Sequence, residues 1–359
     1  MEKQKIYSED GERVSFGYYL WIVLRLRVKK FTQRIKDFRA RRPHRSFRLT
    51  RRRDAVRPLK LPGYWKFTGS VWQVIKQNKR FFLSILAIIV VFGVVTFGLL
   101  GQDFINLLSD TLEETGSNVF EGNWGELGKA GLLLVSVFST GGLSNSFTEL
   151  QQTWLLLGLV FVWLVIVWAL RNSLAGNKLK LRDALYNAGS PIISTLIVAV
   201  IILIQLVPVM ISVIIYSAAR STDFLTGGVE TMVFAAAVFL MLSLSLYWVT
   251  GSFLALVVVA IPGVYPMQAI KIAGNMVVGR RVKIILRVLW CLLVDLAGML
   301  VVLIPVYLIV SGLASMFEIV GDLAIIPFIL YVLVCSAIIF SFCYIYMLYR
   351  GIIDSDARR

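Results

Sequence analysis

The chain has 359 residues, of which 58% are hydrophobic and only 16% charged, with a mean hydropathy of +0.77 and a formal net charge of +16. Such values exclude an ordinary soluble domain and make the bilayer the main solvent of the fold. A single histidine, His44, excludes by count the His-based acid/base pairs, Ser-His-Asp triads and multi-histidine metal sites.

The first 60 residues read as a basic tail. Apolar residues recur as Leu20, Leu24, Val28, Phe31, Ile35 and Phe38, while Arg25, Arg27, Lys29, Lys30, Arg34 and Lys36 fill the positions between them. This spacing predicts an amphipathic helix over about residues 16–39, lying in the headgroup plane with its apolar side in the acyl boundary. From Arg39 to Arg57 there are nine arginines, interrupted by Pro43, His44, Ser46 and Thr50. Self-repulsion and the scarcity of apolar residues predict a disordered tract there.

Arg25, Arg27, Lys29, Lys30, Arg34, Arg41, Arg42, Arg45, Arg48, Arg51, Arg52, Arg53 and Arg57 are candidate contacts for anionic lipid headgroups, each worth ~1 kcal/mol near the surface. A purely topogenic anchor competes with that reading. Nucleic acid is the weaker partner, although charge alone does not separate RNA from phospholipid.

Residues 61–359 read as a membrane domain with six apolar stretches, at about 81–100, 153–170, 191–216, 231–260, 288–310 and 323–348. A spanning helix needs ~20 such residues, and lipid-exposed backbone must satisfy its own hydrogen bonds, so each is predicted to be a helix. A β-barrel would alternate apolar and polar positions, which Ile85 to Val95 does not. Of the 37 Lys and Arg residues, all but Lys129 and Arg220 fall on one side of this six-span arrangement. The positive-inside rule then places both termini in the cytoplasm of a cell (inner) membrane. Leu127 to Phe138 is too short to span comfortably and is expected to be re-entrant or surface-lying. No cleavable signal peptide is expected, the first span serving as its own anchor. Cys291, Cys335 and Cys343 form no CxxC pair and read as small buried hydrophobes.

Three basic, partly amphipathic segments lead directly into spans: residues 64–80, 172–189 and 267–283. The simplest architecture is all-α, three hairpins, each an interfacial helix, a span, an outer loop and a returning span. Leu179-Lys180-Leu181-Arg182-Asp183-Ala184-Leu185 entering Pro191, together with the segment from Ala269 to Arg281, resembles paired features of two groups. One is the membrane domain of bacterial glycerophosphodiester phosphodiesterases, the other the YciC-like inner-membrane proteins. The resemblance covers about residues 61–350. It implies a six-helix domain with lipid-related or accessory roles and without catalytic residues of its own; the phosphodiesterase barrel has no counterpart here.

No P-loop, glycine-rich strand-to-helix fingerprint or GxSxG elbow is present, and no cofactor is implied. Glu113-Glu114 lies in a polar outer loop and reads as solvated. Ser139-Thr140-Gly141-Gly142-Leu143-Ser144 is a single filter-like loop where a channel needs four. Asp295, the one ionisable carboxylate or base inside the spans, is the intramembrane candidate, since a charge there costs ~2.5–3.5 kcal/mol. It reads either as a proton or cation relay, or as a neutral acid bonded to a neighbouring helix, with Gln205 or Ser245 as the partner. Pro208, Pro305, Pro327 and the Thr250-Gly251-Ser252 step mark where spans are expected to bend or break. The functional expectation is a non-enzymatic scaffold or accessory component of membrane lipid or envelope homeostasis. The alternative is a small transporter or lipid flippase using Asp295.

Overall fold

The computed structural model describes residues 21, 24–33, 61–99, 141, 143, 147–221, 228–314 and 323–357. Two units are present, Met1–Arg57 and Pro58–Arg359. In the first, residues 24–33 are helical. In the second, ten helices follow in order: α1 Tyr64–Gln77, α2 Lys79–Phe97, α3 Glu149–Leu174, α4 Leu181–Ala188, α5 Ile192–Ser221, α6 Gly228–Ser252, α7 Ala255–Val258, α8 Pro266–Val277, α9 Arg281–Ala314 and α10 Ile325–Ala357. The only β pairing among the described residues is an isolated bridge between Leu99 and Leu143. Six helices are long and apolar enough to cross a membrane, so the protein is an all-α, multi-pass integral membrane protein.

The three short helices α1, α4 and α8 each run into a span, and each buries one face at helical spacing. The buried residues are Phe67 and Val71 in α1, Ala184 and Ala188 in α4, and Ala269, Ala273 and Val277 in α8. Steps of four residues keep these side chains on one stripe. The small residues of α4 and α8 allow close approach, while Phe67 of α1 meets Tyr344 of α10 edge-on at 4.9 Å between ring centroids.

The last span is a post for two further spans and α9, while α5 and α6 stand apart from it. α10 packs against α1, α2, α3 and α9. Toward α2 the approach is very close: a Cβ on Gly93 would lie 1.7 Å from the Tyr331 hydroxyl, which donates to the Ile89 carbonyl at 3.1 Å. Toward α3, Trp163 and Phe342 pack edge-on at 4.9 Å. The hairpin pairs α5/α6 and α9/α10 pack along their lengths, whereas α2 and α3 both lean on α10. α2 and α3 are tied at their far ends, where the Gln151 amide donates to the Thr96 carbonyl at 2.9 Å. Gln151 also completes a capping box with Thr148 at the start of α3, satisfying two backbone donors that would otherwise be unpaired.

The fourth apolar stretch is divided rather than continuous. α6 ends at Ser252, and after a turn the short α7 follows, with Leu254, Ala255, Val257, Val258 and Val259 all at most 2% exposed. Two hydroxyls bond back one turn at this end, Thr250 to the Leu246 carbonyl and Ser252 to the Trp248 carbonyl. Such bonds compete with the helix's own ladder. The Arg281 guanidinium caps the break from outside, stacked 3.7 Å from the Tyr247 ring centroid and donating to the Tyr247 carbonyl. By contrast Pro208 and Pro305 lie within continuous helices, and Pro327 occupies the first turn of α10, where a missing N–H costs nothing.

Two spans also extend further than hydropathy indicates. α9 begins at Arg281 and α10 continues to Ala357, so residues expected in basic loops are helical. There Arg280, with a fully buried side chain, pairs with Asp356 at 2.5 Å and donates to Ser355 at 3.3 Å. Removing one partner of a buried pair typically costs ~3–5 kcal/mol, and the partial exposure of Asp356 puts this pair at the lower end. Asp354 pairs with Arg350 only at 3.6 Å, with both side chains half exposed, which is worth ~0–1 kcal/mol. Asp356→Asn is therefore expected to lower the thermal midpoint in detergent well beyond Asp354→Asn. Equal shifts for the two aspartates would show that the buried pair contributes nothing special.

Candidate functional site

The polar groups of the membrane unit concentrate where α9, α10 and the short helices meet. Arg287, 7% exposed, donates to the Pro62 carbonyl at 2.5 Å and lies over the rings of Tyr64 and Phe67 at 4.7 and 5.1 Å. It thereby fixes the start of α1 to α9. Trp290 adds to the same joint, donating to Thr68 at 3.2 Å and packing edge-on against Trp65 at 5.0 Å. Sequence reasoning counted Arg280 and Arg287 as loop charges. Their burial depends on partners 76 and 225 residues away, which no local pattern reveals.

Asp295 lies about two turns deeper along α9 than Arg287, half-buried. Its carboxylate accepts a hydrogen bond from Ser341 of α10 at 2.5 Å, and the Cys291 thiol lies 3.8 Å away. The partner is thus a serine on the sixth span, not Gln205 or Ser245. Gln205 accepts instead from Ser252, joining α5 to the end of α6. The two α9–α10 polar contacts share one antiparallel register: from Arg280 to Asp295 is fifteen residues, and from Asp356 back to Ser341 is also fifteen. All three cysteines are free and buried.

A cavity of about 330 Å³ opens away from Asp295, beside α4. Its walls come from the ends of α3 and α10, the α4–α5 junction and the turn after α7. Arg171 and Arg350 line it together with Tyr346, Tyr349, Asn187 and Ser190, and Leu164, Val167 and Val257 form an apolar side. Asp295 does not line it. No group of three or more metal-ligating side chains occurs among the described residues.

Of the predicted headgroup contacts, Arg25, Arg27, Lys29 and Lys30 are described, all exposed on the helix of residues 24–33. Leu24, Val28 and Phe31 share one side of it at 53 to 65% exposure, and the bases occupy the rest, with Leu26 among them. Arg34, Arg41, Arg42, Arg45, Arg48, Arg51, Arg52, Arg53 and Arg57 lie outside the described residues, as do residues 127–138, Glu113-Glu114 and His44. No protein-family profile, curated protein or solved structure matches the chain.

The Asp295–Ser341 geometry fits an interhelical tie that needs an acceptor, not a charge. Ser341→Ala and Asp295→Ala are each expected to lose ~0.6–1.7 kcal/mol, the range measured for such bonds in membranes, and Asp295→Asn, which keeps an acceptor oxygen, to lose clearly less than either. Reversible unfolding in mixed micelles measures this, and an Asn variant as unstable as the Ala variant would restore a role for the carboxylate charge.

Proposed function

We propose that this protein is a non-enzymatic scaffold or accessory component of membrane lipid or envelope homeostasis, engaging anionic lipid through its basic tail. It sits in a cell membrane with both termini cytoplasmic, the side on which positive charge is retained. The observation that carries the reading is the helix of residues 24–33. It exposes Leu24, Val28 and Phe31 to more than half their area beside Arg25, Arg27, Lys29 and Lys30. An uncovered apolar stripe flanked by bases is what a helix lying in an anionic headgroup layer requires. The resemblance to the membrane domain of glycerophosphodiester phosphodiesterases and to YciC-like proteins agrees with an accessory role near lipid.

The transporter reading asks for a polar, water-accessible cavity reaching Asp295. The Ser341 bond and the position of the cavity away from Asp295 favour a packing role for that residue instead.

Full-length protein in nanodiscs of neutral lipid is expected to co-sediment with vesicles containing anionic phospholipid, and to lose that association as salt rises. Each of Arg25, Arg27, Lys29 and Lys30 changed to Gln should weaken it about five-fold, equivalent to ~1 kcal/mol per base. Unchanged association after deletion of residues 1–60 would refute the tail as the lipid-binding element.

A further inference from the structure

We infer that the cavity between the ends of α3 and α10 binds the headgroup of a single anionic phospholipid, a site separate from the tail and beyond the function proposed above. Depth is the first reason. Arg171 lies about 33 Å along α3 from Glu149, and Arg350 about 37 Å along α10 from Ile325, at 1.5 Å per residue. The hydrocarbon core is ~30 Å thick, so both guanidinium groups root just beyond it, at headgroup level on the same face.

The second reason is charge. The Arg171 guanidinium makes no hydrogen bond or ion pair with the other described residues, its backbone carbonyl alone accepting from Ala175, and the Arg350 side chain has only its long contact to Asp354, both arginines being part-exposed. Two arginines lining one pocket with no buried carboxylate opposite them form a site for an anion. Guanidinium matches phosphate oxygens in paired, bidentate fashion. Basic pockets between spanning helices on this side of a membrane are the usual seats of phospholipid headgroups. Arg280, by comparison, is already matched by Asp356 and does not line the cavity.

The third reason is the mixed character of the walls. Asn187, Ser190, Tyr346 and Tyr349 supply neutral hydrogen-bonding groups around the arginines. Leu164, Val167 and Val257, buried in the core, provide the apolar side along which the start of an acyl chain runs. A free phosphate ion would use the arginines and gain nothing from that side. The lipid uses both.

The experiment is calorimetric titration of the full chain in neutral detergent with dioctanoyl phosphatidylglycerol, dioctanoyl phosphatidylcholine and inorganic phosphate. The expected result is saturable binding of the anionic lipid, at least ten-fold tighter than the other two. Changing Arg171 and Arg350 together to Gln is expected to lose at least ten-fold of that affinity, and changing both to Lys to recover part of it, which separates lost charge from lost folding. Ile261→Trp, which fills the cavity from its partly buried wall while keeping both arginines, is expected to weaken binding similarly at an unchanged thermal midpoint. The full chain with Arg25, Arg27, Lys29 and Lys30 all changed to Gln is expected to bind within two-fold of the parent, so the failure of the tail and the failure of the cavity are told apart. Equal affinity for phosphate and lipid would reduce the site to a simple anion pocket and overturn the proposal. So would equal affinity for the two lipids, or loss of binding only in the tail variant.

Discussion

A guanidinium taken out of water must find a counter-charge or polar partners, and the pairing of Arg280 with Asp356 meets that demand where α8, α9 and α10 meet. Arg280 precedes α9 and follows the short helix α8, while Asp356 lies in the last turn of α10. The pair therefore sets the register of the fifth span against the sixth. Fifteen residues deeper on both helices, the same register delivers Asp295 to Ser341. Arg287, between the two, extends the joint to α1 through the Pro62 carbonyl. Since α2 and α3 also pack on α10, the helix this ionic contact anchors carries much of the bundle.

Burial is distributed accordingly. In the most apolar windows of α3 and α10, 39% of residues are buried, against 6% in α9 and in the stretch formed by α6 and α7. The large exposed side chains of α5, α6 and α9 are mainly leucine, isoleucine, valine and methionine, with Tyr216, Phe239, Tyr247 and Trp248 among them, and lipid solvates the aliphatic ones as well as protein does. Helices in the bilayer gain little from burying such residues against one another. Polar ties and small-residue contacts therefore carry more of the specificity: Ser252 to Gln205, Asp295 to Ser341, and Tyr331 seated over Gly93.

The sequence made some of this legible and hid the rest, for physical reasons. Hydropathy located the six spans because lipid imposes length and apolarity on each one separately. Short helices were legible within the basic segments at residues 64–80, 172–189 and 267–283 because amphipathic spacing is local, although residues 172–174 of the second belong to the end of α3 and its short helix begins only at Leu181. So was the weak step at Thr250-Gly251-Ser252, whose hydroxyls compete for backbone carbonyls within one turn. Partner choice was not legible. Gln205, Ser245 and Ser341 are equivalent as sequence, and only the α9–α10 register selects Ser341 for Asp295. Arg171 and Arg350 looked like ordinary positive-inside charge. Only the convergence of α3 and α10 brings them to one cavity.

Two polar ties spaced about 22 Å apart along the same pair of helices make α9 and α10 a fixed-length strut. Sliding one past the other by a helical turn, ~5.4 Å, would break both contacts at once. A change in bilayer thickness is ordinarily absorbed by tilt, kinking or local deformation of the lipid. For this pair the sliding mode is closed, and tilt of the strut as one body remains. The α5/α6 hairpin, closed on itself by Ser252 and Gln205 and tied to α9 by the Arg281 guanidinium at the broken end of α6, lies outside that strut and makes no comparable packing against α10. Hydrophobic mismatch would thus be felt unevenly across the protein, with the α5/α6 pair the more compliant half.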